Sequence, residues 1–288
     1  MKIKTEDIRK TPYMLPERFE WCTLDPHNDE DISAIHEFMK NHYFENPGNL
    51  LRMYYSKNFL KWILTLPNES KDWLVGVKVE KSKLLVGMIN GFSSNISIKG
   101  KMMKMGVVGF LCVHTKLRKK RLTPVLIKEL KRRIALNNIH QAAYNVYKFL
   151  PTPICVAKWW QRIINFKKMH EVFPTAEAMR NLISSDPKSS LKVLEKACKL
   201  PNVNIKGFRK MTNDDVNEIN KLLNNYLQKY TIRLNFTEEM GRHMFIPREG
   251  VIESYVVEDR GITDFISFFT ISYRMSGTGL EYKVIYYI

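Results

Sequence analysis

Five cationic side chains, Lys116, Arg118, Lys119, Lys120 and Arg121, fall within six positions, between an uncharged apolar run at 107–113 and the pair Thr123-Pro124. Guanidinium and ammonium groups crowded before a helix start can hold an anion. The first helical N–H groups have no intrahelical partner, and the helix dipole favours negative charge there. The spacing predicts a helix with Thr123 as its N-cap and Pro124 in its first turn. Val125, Leu126, Leu130 and Ile134 would form its apolar stripe, with Lys128, Glu129, Lys131, Arg132 and Arg133 opposite. The run 107–113, β-branched at its ends, predicts a central strand buried on both faces. Open α/β sheets bind ligands at strand carboxyl ends. The turn is therefore read as a phosphate or pyrophosphate site rather than as solvated surface alone.

The elements that position this turn follow from periodicity. FEWCTLD reads as a strand. Residues 29–42 read as a helix with Ile32, Ile35, Phe38 and Met39 on one face, and Asn46-Pro-Gly48 as a turn. Ser56 caps a second helix carrying Phe59, Leu60, Ile63 and Leu64. WLVGVKVEKS and LLVGMINGFSSNISIKG read as hairpin strands leading into the central strand. Beyond the helix, HQAAYNVYKFLPTP reads as a strand and loop, and 155–166 as a helix in which Trp160 packs into the core. Residues 171–200 read as short helices broken at Pro174 and Pro187. A weak internal repeat then appears. FRKMTNDDVNEINKLLNNYLQKY echoes the first strand and helix, and ESYVVEDRGITDFISFFTISY echoes the first hairpin. The repeat predicts no second central strand, basic turn or helix, so only the first copy would hold a cofactor.

At 288 residues, 44% hydrophobic and 26% charged, the composition is that of a globular protein with a substantial core. No apolar run is long enough to span a bilayer, and the charged N-terminus has no apolar stretch after it, so a cytoplasmic protein is expected. Cys22, Cys112, Cys155 and Cys198 lack metal-ligand spacing, which predicts reduced thiols and no metal; Cys112 reads as a buried hydrophobe. A net charge of +17 calls for an acidic partner. Coenzyme A phosphates, an anionic membrane surface and nucleic acid all qualify by charge. Nothing but charge supports nucleic acid, which is not expected. The turn lacks the glycine pattern of nucleoside triphosphate and dinucleotide loops, which leaves coenzyme A, held as in acetyltransferase-type folds.

FLCVHTKLRKKRLTPVLIKEL, with LPERFEWCTLD upstream and LPTPICVAKWWQRIINFKKMHEV downstream, resembles the eukaryotic glycylpeptide N-myristoyltransferases. The resemblance implies a mixed α/β fold of the acetyltransferase (GNAT) type, with an acyl-CoA-binding lobe at 1–205 and a truncated second copy on the peptide side at 206–288. It implies transfer of myristoyl from myristoyl-CoA to an N-terminal glycine amine by a monomer. Backbone N–H groups of Phe110 and Leu111 would stabilise the oxyanion. The cofactor would lie along Phe110, Leu111, Cys112 and Val113 and on the turn of Arg118, Lys119, Lys120, Arg121, Leu122, Thr123 and Pro124. Tyr43, Tyr55, Gly109, Asn145, Trp159 and Gln161 match peptide-side positions, with Asn145 near the attacking amine. The family's acidic run is reduced to Glu45, and its terminal carboxylate base has no match before Ile288. A shorter acyl-CoA such as acetyl-CoA, or acyl-CoA binding without turnover, are the alternative readings.

Overall fold

The computed structural model describes residues 8–43, 51–67, 70–146, 150–173, 190–276 and 278–288. The expected turn at Asn46-Pro-Gly48, Glu45 beside it, and the breaks at Pro174 and Pro187 lie outside them. The first half runs β1 (Phe19–Thr23), α1 (Asp29–His42), β2 (Leu51–Tyr54), α2 (Lys57–Leu64), β3 (Leu74–Val79), β4 (Leu85–Ile98), β5 (Lys101–Val113), α3 (Leu122–Leu136) and β6 (Ala142–Tyr144). Helices α4 (Phe166–Val172) and α5 (Leu191–Cys198) lead to the second half. There follow β7 (Phe208–Lys210), α6 (Val216–Leu227), β8 (Ile232–Leu234), α7 (Glu238–Phe245), β9 (Ile252–Glu258), β10 (Ile262–Met275) and β11 (Glu281–Tyr287).

Local chemistry accounts for the first elements. The Asn28 side chain accepts from the Glu30 and Asp31 N–H groups, and Asp29, Glu30 and Asp31 occupy the positive end of the α1 dipole. Ser56 caps α2 by accepting from Phe59 N at 3.1 Å. The stripes expected on both helices are buried or half-buried, and Trp62 joins the α2 stripe.

One sheet has the order β1-β3-β4-β5-β6 with β8 on β4; the other has β11-β10-β9-β7 with β2 on β10. Among the described residues all pairings are antiparallel except β5 with β6. The halves exchange strands. β4 outruns β3, and β8 covers its far edge at 96–98; β10 outruns β9, and β2 covers its far edge at 272–275. Each half thus hides the other's unpaired strand edge. The helices repeat this reciprocity. Trp62 Nε1 donates to His243 O at 3.0 Å, and His243 Nε2 lies 2.8 Å from Trp62 O with the two rings stacked. Trp62 and His243 are the sixth residues of α2 and α7. The halves are therefore related by a local two-fold.

Several expectations are corrected. The second copy does contain a counterpart of the central strand, β11, which pairs with β10 as β5 pairs with β4. β5 begins at Lys101, and residues 107–111 are only half-buried or exposed, because β6 covers it over 106–108 alone. Residues 155–165 are not helical. Only Ile163 in that stretch finds buried apolar neighbours, Leu194 and Cys198, while Trp159 and Trp160 are 72% and 89% exposed. Helix α4 starts only where Asn165 caps it by accepting from Lys168 N at 3.0 Å.

Helix α3 lies close on the sheet because three glycines lie beneath it. A Cβ on Gly87 would meet Leu122 at 3.1 Å, one on Gly91 would meet Leu130 at 3.4 Å, and one on Gly106 would meet Ile134 at 3.1 Å. Burying Leu126 and Leu130 contributes roughly 1.5–3 kcal/mol each. Glu129 and Arg132, expected on the solvent side, are buried instead. Glu129 accepts from Arg132 Nη2 at 2.6 Å, Arg133 Nε at 3.0 Å and the Tyr13 amide at 3.2 Å. Arg132 Nη1 donates to Lys10 O at 3.0 Å, so this charge cluster straps the N-terminal arm to α3. Burial alone would push the Glu129 carboxyl up, but those hydrogen bonds outweigh it and hold it below its ordinary value.

Glu129→Ala should destabilise the fold by about 3–5 kcal/mol, since Arg132 is left buried without its counter-charge; denaturant unfolding measures it. In the second half, hydrogen bonds from Arg209 hold the Asp215 carboxyl at about 2, against an ordinary 3.8. A depressed carboxylate contributes its stability in full above the unfolded value and loses it as pH falls through the folded one. Stability should therefore drop between pH 3.8 and about 2, and Asp215→Asn should flatten that limb of the acid-unfolding curve.

Candidate functional site

The register of β4 against β5 breaks between Ile89 and Gly91, where Ile89 faces Leu111 and Gly91 faces Val108. Gly109 and Phe110 therefore stand opposite a single residue, Asn90, which is a β-bulge. The bulge takes the Phe110 N–H out of the strand ladder, and that N–H donates to Asn90 Oδ1. Asn90 is 6% exposed. It can sit there only because residue 109 is glycine: a Cβ at Gly109 would lie 2.5 Å from Asn90 Oδ1 and 3.0 Å from its Nδ2. Asn90 and Gly91 also line a cavity of about 440 Å³ with Thr23, Leu24, Leu64 and Leu74.

β6 ends three positions into its pairing with β5, and Tyr144 is the register partner of Val108. Asn145 follows at once, exposed, so it leaves the sheet level with Gly109. From there to Val113, β5 has no strand on its β6 side among the described residues. Leu111 is half-buried along this opening, while Cys112 and Val113 are buried. Cys22, Cys155 and Cys198 are free thiols.

The strand leads into the basic turn. His114 Nδ1 accepts from Lys116 N at 3.2 Å, starting a short 3-10 turn, Thr115–Leu117. Burial, then Lys116 and Arg118, push the His114 ring below its ordinary value. It lies 4.0 Å from the His42 ring, centroid to centroid, and Arg118 Nη2 donates to His42 O at 2.6 Å, tying the turn to the end of α1. Lys119 and Arg121 both adopt left-handed backbone, with φ of 67° and 62°. Such strain in non-glycine residues is concentrated at ligand clamps. Arg121, not Thr123, is the N-cap of α3, and among the described residues no side chain caps it. Leu122, Thr123 and Pro124 form the first turn, where proline costs nothing because N–H groups there lack intrahelical partners. Lys119, Lys120, Arg121 and Thr123 are exposed, so uncapped N–H groups and cationic side chains share one surface.

On the other side of the bulge, Phe110 meets Tyr43 at 5.5 Å and Tyr55 at 5.2 Å between ring centroids. Ring contacts continue from Tyr55 to Phe59 at 5.0 Å, Phe59 to Phe269 at 5.3 Å, Phe269 to Tyr286 at 5.4 Å and Tyr286 to Trp159 at 5.9 Å. Tyr43, Tyr55 and Phe110 thus come together directly. Trp159 joins them only through the second sheet, and Gln161 is exposed two residues beyond it. Asn90 was missed by sequence reasoning; its signal is a lone carboxamide in the apolar strand LVGMINGF.

Residues 1–157 match the family model for the Myristoyl-CoA:protein N-myristoyltransferase N-terminal domain, and residues 181–285 that for its C-terminal domain. The chain belongs to this N-myristoyltransferase family. It is 40% identical to Glycylpeptide N-tetradecanoyltransferase 1 of Arabidopsis thaliana, over 94% of this chain and 62% of that one. To the Plasmodium falciparum glycylpeptide N-tetradecanoyltransferase it is 38% identical, over 98% of this chain and 67% of the relative. The structure of Saccharomyces cerevisiae N-myristoyltransferase with bound myristoyl-CoA superposes with a TM-score of 0.90 at 31% identity, covering 99% of this chain and 65% of that one. The chain has a mixed α/β fold that superposes on this family's solved structure over nearly its whole length. It spans a little under two thirds of the length of the Arabidopsis relative and the yeast chain.

The turn can be tested as an anion clamp. Charge-assisted contacts contribute roughly 1.5–3 kcal/mol each. Arg121→Ala should therefore weaken coenzyme A binding about tenfold or more with the fold unchanged, measured by calorimetry. Unchanged affinity would leave the turn as solvated surface.

Proposed function

We propose that this chain binds myristoyl-CoA and transfers its acyl group to the amine of an N-terminal glycine. The observation that carries the reading is the bulge at Phe110 immediately before a strained, cationic turn on an uncapped helix. A thioester whose phosphates lie on Arg118, Lys119, Lys120 and Arg121 would have its pantetheine along β5 and its carbonyl at the bulge. The amine nitrogen attacks the thioester carbon, the C–S bond breaks, and the products are an amide and the coenzyme A thiol. Backbone N–H groups at Phe110 and Leu111 would face the oxyanion, the charge that most needs preorganised donors in this reaction. Tyr43 and Tyr55 would wall the glycine end of the peptide, and Asn145, level with Gly109, would orient its amine. Trp159 and Gln161 would meet the peptide further out.

The same reading divides the chain into an acyl-CoA lobe, 1–205, and a peptide-side lobe, 206–288, joined by the exchanged strands. Free thiols at Cys22, Cys155 and Cys198 suit the reducing cytoplasm, where we place the protein as a monomer. Among the described residues no helix is long and apolar enough to cross a membrane, and no cluster of side chains could hold a metal ion.

Labelled myristoyl-CoA with an N-terminal-glycine peptide should give labelled peptide; no product above the no-enzyme control would reject transfer. Thermal stabilisation should rank myristoyl-CoA above acetyl-CoA and free coenzyme A, since a ligand selective for the native state stabilises with the logarithm of concentration over Kd. A peptide amine of pKa about 7.7–8.0 is mostly protonated at pH 7. The rate should therefore rise between about pH 7 and 9 as the attacking amine loses its proton.

A further inference from the structure

We propose that Asn90 is a working part of the acyl-transfer site: its Oδ1 holds the Phe110 N–H before the substrate arrives, and its Nδ2 donates to the oxyanion once the thioester carbonyl has taken that N–H. This rests on the function proposed above. A bulge N–H would ordinarily be left to water. Here its partner is a side chain, and that side chain is buried. A carboxamide carries an acceptor and a two-proton donor on one planar group, and its terminal torsion is broad and roughly two-fold. Rotation of that torsion exchanges Oδ1 for Nδ2 without moving the backbone. Gly109 supplies the room, since any Cβ there would press on both atoms at 2.5 and 3.0 Å. The bulge donor is thus satisfied when no carbonyl is present, and the same group turns an attractive face to the negative oxygen when one is.

A purely structural Asn90, there only to hold the bulge, predicts a different outcome from the same substitutions. Asp is isosteric, keeps the acceptor for the Phe110 N–H, and so would preserve a structural role. It cannot donate and sets a carboxylate beside the developing charge. Asn90→Asp should therefore keep its fold by circular dichroism and its affinity for free coenzyme A, yet lose about 10²–10³ in turnover, the usual effect of removing an oxyanion donor. Asn90→Ala should lose a similar factor. A second readout does not need turnover. The infrared carbonyl band of bound myristoyl-CoA, labelled with 13C at C1, should lie at lower frequency in the parent than in Asn90→Ala, because Nδ2 polarises the carbonyl. An Asn90→Asp chain as fast as the parent, or identical bands in parent and Asn90→Ala, would overturn the proposal. A parent that shows the band shift but no transfer would reject the acyl-transfer reading and leave the Asn90 contact standing.

Discussion

Where β5 runs beside β4, two residues face one, and the arrangement of the site follows from that mismatch. The extra residue pushes the Phe110 N–H out of the ladder, and an unpaired buried N–H costs roughly as much as a lost hydrogen bond. The fold meets this with Asn90, whose approach requires glycine at 109. The bulge also turns Phe110 toward Tyr43 and Tyr55, so that backbone polarity and aromatic bulk meet at one point. β6 leaves at the same level, which opens the edge of β5 just where its N–H groups are out of register. The basic turn lies at the end of that open edge. None of these features requires a charged group in the core of the site; backbone geometry and one neutral carboxamide suffice.

The second half stiffens this arrangement from outside. Phe59 and Trp62 of α2 pack with Val251, Ile252 and Phe269, so the helix under Tyr55 is held by both sheets. The Trp62 and His243 pair repeats the same contact in both directions, as an isologous interface between two subunits would. The halves meet as a self-complementary pair written into one chain.

The local parts of this structure were legible in the sequence. Asn28, Ser56 and the stripe from Ile32 to Met39 have their causes within one or two turns, and α1 runs between the expected residues. The basic turn was legible too, because five cations in six positions is a local signal. The misses have distant causes. β2 and β8 are four and three residues long, and each is a strand only because a partner lies on the other half's sheet. Glu129 looked like a surface charge because its sequence neighbours are cationic; its burial depends on an amide of the N-terminal arm. Residues 155–165 have apolar bulk, yet among the described residues only Ile163 of them finds a buried apolar partner. The cap of α3 went to Arg121 because the turn is wound left-handed there, which no residue type in it announces. Asn90 is polar in an apolar strand, and its meaning depends on a bulge that pairing across β5 creates.

The exchange of strands also sets an order of events at the ribosome. Tyr54 cannot pair until Ser272 exists, about 220 residues later. At about 5–20 residues per second, β2 waits on the order of 10–40 s after its own synthesis for β10 to emerge. The far edge of β4 waits a shorter time for β8. For that interval the nascent first half carries an open strand edge and a detached strand, the surfaces that molecular chaperones and stray β-pairing both recognise. Pairing of β2 is therefore paced by translation through β10, and a slow codon between them would prolong the nascent chain's exposure.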